Sequence, residues 1–155
     1  MNKRLSYLIT FIIISILFTG CNFNFQLNNK KPNNYYYTNL LAESISTEVS
    51  YKCTAINTSF YNEIEISQND KTTLNSLFKK LSSKNFISKP SNLPSKPKYR
   101  LVFIFKDAKY LMDIYNENII SIYPWDGALE KDYIDMNGIP ISYNINGLCD
   151  YLFNK

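Results

Sequence analysis

Apolar residues are distributed along this chain in three patterns: a continuous run from Leu5 to Phe18, a three-to-four residue recurrence from Leu74 to Leu81, and three short runs between Tyr99 and Tyr123. Each pattern predicts a different element. In KTTLNSLFKKLSSK the residues Leu74, Leu77, Phe78 and Leu81 fall at i, i+3, i+4 and i+7, the spacing of one helix face. Asp70 precedes this helix and is placed to accept hydrogen bonds from its first free amides, while Lys79, Lys80 and Lys84 lie near the negative end of its dipole.

The strand signals have a period of two or are unbroken. Val49 to Ile56 and Phe60 to Ser67 read as two strands, because Ile64 and Ile66 alternate with Glu63 and Glu65 and Asn57-Thr58-Ser59 separates the runs. This predicts a hairpin with one wet face. Tyr99 to Lys106 is almost wholly apolar, and Lys109 to Tyr115 and Asn118 to Tyr123 follow it across breaks short enough for hairpins. The expectation is a three-stranded antiparallel meander with YRLVFIF at or near its centre, since that strand has no polar face to give to water.

Weaker signals fill the remainder. Leu40, Leu41 and Ile45 are helically spaced in Tyr35 to Ile45, with Asn34 as the expected cap. Ser88 to Lys98 holds three prolines and no period, which predicts an exposed loop. Tyr133 and Ile134 allow a short strand, and Pro140 suits the first turn of a last helix in which Ile141, Ile145, Leu148 and Leu152 share a face. Together these elements predict an α+β fold: an antiparallel sheet of about five strands, hairpin plus meander, packed against the amphipathic helix and a C-terminal helix. Three segments follow, a signal peptide over residues 1–20, a flexible tether over 21–34 and one domain over 35–155.

The N-terminal run is about 14 residues long, short of the roughly 20 needed to span a bilayer, and Lys3 and Arg4 precede it. Thr19 and Gly20 are the small residues a signal peptidase requires, and Cys21 follows. Residues Leu17 to Cys21 resemble the lipobox of bacterial lipoproteins, with Phe18 where Leu is usual. That resemblance implies diacylglyceryl transfer to Cys21, cleavage before it, and a domain anchored on the extracytoplasmic face of the cell membrane without a transmembrane helix. With that lipobox, followed by the Asn- and Lys-rich tether NFNFQLNNKKPNN, and by its overall layout, the chain also resembles the small clostridial-type lipoproteins grouped as domain of unknown function 4883. The resemblance implies a location and transfers no active site.

Composition narrows the chemistry. There is no histidine, which removes the commonest general base and zinc ligand together with Ser-His-Asp and Cys-His catalysis. Lys3 and Arg4 supply two of the four net positive charges, so the rest of the chain is too nearly neutral for nucleic-acid binding. Cys53 and Cys149 are too few for a cysteine zinc site; outside the membrane they either pair, which requires alpha carbons within about 7 Å, or remain two separate buried thiols. Ser76-Leu-Phe-Lys79 matches S-x-x-K, but no Lys-Thr-Gly triplet follows and the chain is too short for a transpeptidase. Asp126, Glu130, Asp132 and Asp135 crowd one loop whose spacing fails the calcium-loop pattern. No metal or cofactor is expected.

The remaining candidate is recognition. Tyr123-Pro-Trp-Asp-Gly127 places the sole tryptophan after a strand end, flanked by proline and glycine, a context that presents a ring to a glycan or protein partner or folds it back over the sheet edge. Tyr123, Trp125 and Asp126 are the candidate ligand contacts. The functional expectation is a non-catalytic binding module held at the envelope. Its competitors are an envelope hydrolase using paired carboxylates, drawn from Glu63, Glu65 and the acidic loop, and a passive structural or immunity-type lipoprotein.

Overall fold

The computed structural model describes residues 31–155 except 49 and 128, so the signal-peptide, lipobox and most of the tether expectations lie outside the described residues. The elements run α1 Tyr36–Thr47, β1 Lys52–Asn57, β2 Asn62–Glu65, α2 Gln68–Lys80, β3 Phe86–Ile87, β4 Tyr99–Ile104, β5 Lys109–Ile114, β6 Ile119–Pro124, β7 Asp132–Asp135 and α3 Ile145–Phe153. All pairings are antiparallel, in the order β2-β1-β4-β5-β6-β7-β3. The α+β class is as expected. The sheet has seven strands rather than five, because β7 and the two-residue β3 extend the meander on its far side. A two-residue strand carries no periodicity, so nothing in the sequence signals β3.

The sheet is built outward from YRLVFI. Successive side chains point to opposite faces, and on β4 Tyr99, Leu101 and Phe103 are buried while Arg100 and Val102 are half-buried and Ile104 is exposed. The register carries the buried face across the strands: Phe103 stands between Cys53 and Tyr110, Leu101 between Ala55 and Met112, and Tyr99 opposite Ile114. Ile122, Ile120 and Ile134 continue it through β6 and β7. The helices cover this face, burying Tyr37 and Leu41 of α1, Leu74 and Leu77 of α2, and Ile145, Cys149 and Leu152 of α3 in the same core. Each large aliphatic or aromatic side chain removed from water there contributes roughly 1.5–3 kcal/mol. The YRLVFI strand lies beside β5, which is the central strand.

Three local expectations are corrected. The amides of α1 are met by Asp132 of β7, whose Oδ2 accepts from Thr38 N at 2.7 Å and Thr38 Oγ1 at 2.9 Å, and Asn34 instead donates to Phe86 O. The cap of α2 is Ser67, whose Oγ accepts from Asp70 N at 3.2 Å while donating to Asp70 Oδ2 at 2.6 Å. Pro140 opens a 3-10 turn, Ile141–Tyr143, and leaves Ile141 exposed; the last helix starts at Ile145, capped by Asn144 Oδ1. A proline suits either kind of first turn, since its fixed φ serves both. No helix among the described residues is long and apolar enough to cross a membrane.

Candidate functional site on the open face of the sheet

Strand alternation gives the sheet a second face, turned away from the helices. The register lines up one row of residues across it: Glu63, Ile56, Arg100, Asp113, Ser121, Tyr133 and Ile87, one from each strand. Leu111 and Tyr123 pair in the next row. Leu111, Tyr115 and Tyr133 are buried although none belongs to the helix-side core, so this face covers itself with its own side chains.

Asp113 sits at the centre of the row and is 1% exposed. Burying a carboxylate is costly unless it is paired and hydrogen-bonded, and here three donors converge. Arg100 Nε donates to Oδ1 at 2.6 Å, while Lys131 Nζ at 2.9 Å and the Tyr123 hydroxyl at 3.0 Å donate to Oδ2. The Lys131 ammonium also lies 3.8 Å from the centroid of the Tyr123 ring. Burial opposes the charge of Lys131, but the hydrogen bond and the charge of Asp113 outweigh it and raise its pKa. The Arg100 pKa rises through its own hydrogen bond to Asp113, against a desolvation penalty. Burial, reinforced by the Asp113 charge, pushes the Tyr123 phenol up. Two cations on one carboxylate leave the cluster with one excess positive charge, and both cations keep about a third of their side chains in contact with solvent. Beside Asp113, the fully buried Ser121 Oγ has no hydrogen-bond partner among the described residues.

The structure divides the three residues marked by the sequence. Tyr123 belongs to the charged cluster, whereas Trp125 and Asp126 are exposed at the end of the sheet beyond it. Trp125 prolongs β6 through a hydrogen bond from its amide to Lys109 O at 2.9 Å, and its ring stands 3.9 Å from the Lys109 ammonium. It is 63% exposed and forms one wall of an open groove of about 440 Å³ between the β4–β5 turn and Asp126. Gly127 closes the turn that ends this stretch; a Cβ there would meet Pro124 Cγ at 2.7 Å.

The acidic candidates of the hairpin and those of β7 do not meet. Glu63 and Glu65 lie on the edge strand β2, five strand spacings from Asp132 and Asp135 on β7, which is about 24 Å at the usual separation. Paired glycosidase carboxylates stand about 5–9.5 Å apart. Asp132 is fully buried and engaged by Thr38 and by Lys31 Nζ at 2.8 Å. Among the described residues no group of three or more His, Cys, Asp and Glu side chains is arranged to hold a metal. Cys53 and Cys149 are buried free thiols, the second of the two alternatives the sequence leaves open. Of Tyr35, Tyr36 and Tyr37 at the start of α1, Tyr37 is core and Tyr35 packs on Phe86 with ring centroids 5.4 Å apart.

Sequence reasoning missed Arg100, Asp113, Lys131 and Ser121. A signal was present: Arg100 and Asp113 are the charged residues inside two runs read as apolar, and the short Lys106-Asp107 break sets Ile104 opposite Lys109 and hence Arg100 opposite Asp113. A buried strand keeps such residues only where they meet each other.

No curated protein matches the chain. The model of the family described as "Domain of unknown function (DUF4883)" matches residues 31–149. Among solved structures, the crystal structure described as "Putative Lipoprotein from Clostridium perfringens" is similar at 34% identity and a TM-score of 0.73, over 81% of this chain and 100% of that one. The helix-backed sheet with its Arg100–Asp113–Lys131 face is thus the DUF4883 domain of this chain, which belongs to that family.

Proposed function

We propose that the protein is a non-catalytic binding module, anchored through a lipid on Cys21 to the extracytoplasmic face of the cell membrane, that recognises an envelope protein or glycan on the open face of its sheet. The anchor is supported by the lipobox-like residues Leu17 to Cys21 and by similarity to a chain described as a lipoprotein. The observation that carries the binding role is the cluster on Asp113: Arg100 and Lys131 are positioned by one buried carboxylate, keep solvent-facing surface, and hold a net positive charge beside aromatic rings. Such a surface suits an acidic group on the partner, because guanidinium and ammonium are held rigid before the ligand arrives.

Two experiments separate the parts of this reading. Cys21→Ser should abolish acyl labelling on growing cells, and persistent labelling would remove the anchor. A photo-crosslinking residue at position 102, on the open face, should capture a partner that the same residue at position 76 on α2 does not. Equal capture from both positions, or capture unaffected by Arg100→Gln in a folded variant, would sink the assignment of the face.

A further inference from the structure

The position at which the tether meets the domain adds an orientation. Lys31, the first described residue, is held by Glu130 O, Lys131 O and Asp132 Oδ1 at the start of β7. The register puts the start of β7, the end of β6, the β4–β5 turn and the start of β1 at one end of the sheet, since Ile122 pairs with Asp132, Tyr110 with Pro124, and Ile104 with both Lys109 and Lys52. Trp125 is at that end. The β1–β2 turn, with Phe60 and Tyr61, is at the other.

We infer that the end of the sheet carrying Trp125 and Ile104 rests in the headgroup region of the bilayer that holds the anchor, an inference that depends on the lipid-anchor reading above. Ten residues separate Cys21 from Lys31, a reach of at most about 36 Å when fully drawn out. A domain of this length is about 35 Å across. Turning the Phe60 end to the membrane would need the tether stretched almost straight along the whole domain, whereas the Trp125 end faces it with chain to spare. Trp125 at 63% and Ile104 at 42% exposure are, among the described residues, the large apolar side chains left in water at the near end. An indole with an apolar body and one N–H is most at home at headgroup level. The two grooves flanking Ile104 are lined by Lys52, Lys106 and Lys109 against Glu48, Glu65, Asp107 and Asp126. These charges nearly balance, so the contact rests on the indole and not on anionic lipid. The anchor supplies the local concentration that lets so small a surface dock. In this orientation the open face stands clear of the membrane, sideways to it.

The sole tryptophan makes the test direct, because intrinsic indole fluorescence arises at position 125 alone. The mature chain from Cys21 is coupled through that thiol to a maleimide lipid in phosphatidylcholine vesicles, with Cys53 and Cys149 buried from the reagent. Trp125 emission is expected to move to shorter wavelength and to be quenched about twofold or more by headgroup-nitroxide lipid, unchanged by added salt or phosphatidylglycerol. Phe60→Trp in a Trp125→Phe background should stay water-like and unquenched. Water-like emission from Trp125, or equal quenching at both positions, overturns the orientation. Because the vesicle anchor is chemical, these outcomes are independent of acyl labelling on cells, whose failure would refute the anchor instead.

Discussion

Arg100 and Asp113 face each other on the two strands of a hairpin, and the Arg100 Nε reaches Asp113 Oδ1 at 2.6 Å on the face of the sheet that no helix among the described residues covers. Removing the carboxylate leaves two neighbouring cations without their counter-charge. Asp113→Ala is therefore expected to lower stability by about 3–5 kcal/mol, the range for breaking one side of a buried pair. The double variant Arg100→Met, Asp113→Leu should recover part of this, since apolar replacement of a buried pair is often near neutral. Urea unfolding of the three proteins measures it. A single-variant loss below about 1 kcal/mol would show the network to be a solvated surface cluster.

Asp132 performs a different task on the opposite face. It joins the start of β7 to the first turn of α1 through Thr38 and to the incoming chain through Lys31. Asp132→Ala should lose the helix-terminal acceptor and strand the largely buried Lys31, a combined loss of about 3–5 kcal/mol. Lys31→Met leaves the fully buried carboxylate without its counter-charge and should cost a comparable amount, but it keeps the Thr38 hydrogen bonds that tie Asp132 to α1. Hydrogen exchange read along α1 distinguishes the two: protection of α1 should fall with Asp132→Ala and persist with Lys31→Met.

Both carboxylates mark the limit of what the chain reveals before folding. The amphipathic α2 is legible because its period fixes which side is buried, and Leu74 and Leu77 are core as that period implies, whereas the unbroken apolar run of β4 marks the meander without telling its core side, Leu101 and Phe103, from the half-buried Arg100 and Val102. In the sequence Asp132 is one of four acids crowding a loop; its partners lie 94 residues or more away and no local pattern encodes them. The same holds for Lys131, which becomes part of the site only when β7 folds beside β6. Trp125 was found because composition made it unique, and its neighbours Lys109 and Ile104 came with the hairpin register.

The two buried thiols give a dependence on pH. Burial pushes Cys53 up to about 12, with Lys71 opposing and Cys149 and Glu65 adding; burial likewise takes Cys149 to about 12, with Asp150 adding and Lys98 opposing. An unfolded thiol ionises near 8.5, so above about that pH the unfolded chain releases protons that the folded one retains. The contribution to stability is complete below about 8.5 and is lost as pH rises towards the folded value. In a Cys21→Ser background a disulfide reagent at mildly alkaline pH should react with neither thiol until the protein unfolds, and then with both. Rapid reaction in the native state would show that one of them is accessible.

Tyr61 closes the β1–β2 turn with φ of 57°, its amide donating to Asn57 O at 2.8 Å. The left-handed region costs an L-residue with a Cβ roughly 1–2 kcal/mol, and asparagine tolerates it best after glycine. The ring gains little in exchange: it is 75% exposed, with the Lys96 ammonium 4.9 Å from its centroid. Tyr61→Asn should therefore raise stability by up to about 1 kcal/mol. Tyr61→Gly should gain less, since glycine gives back about 0.5–1 kcal/mol in unfolded-state entropy. Tyr61→Val should lose stability, because a β-branched side chain fits that region worst. Thermal unfolding of the three variants orders them. If Tyr61→Asn proved the least stable, the ring and Lys96 would be holding the turn against its own backbone strain.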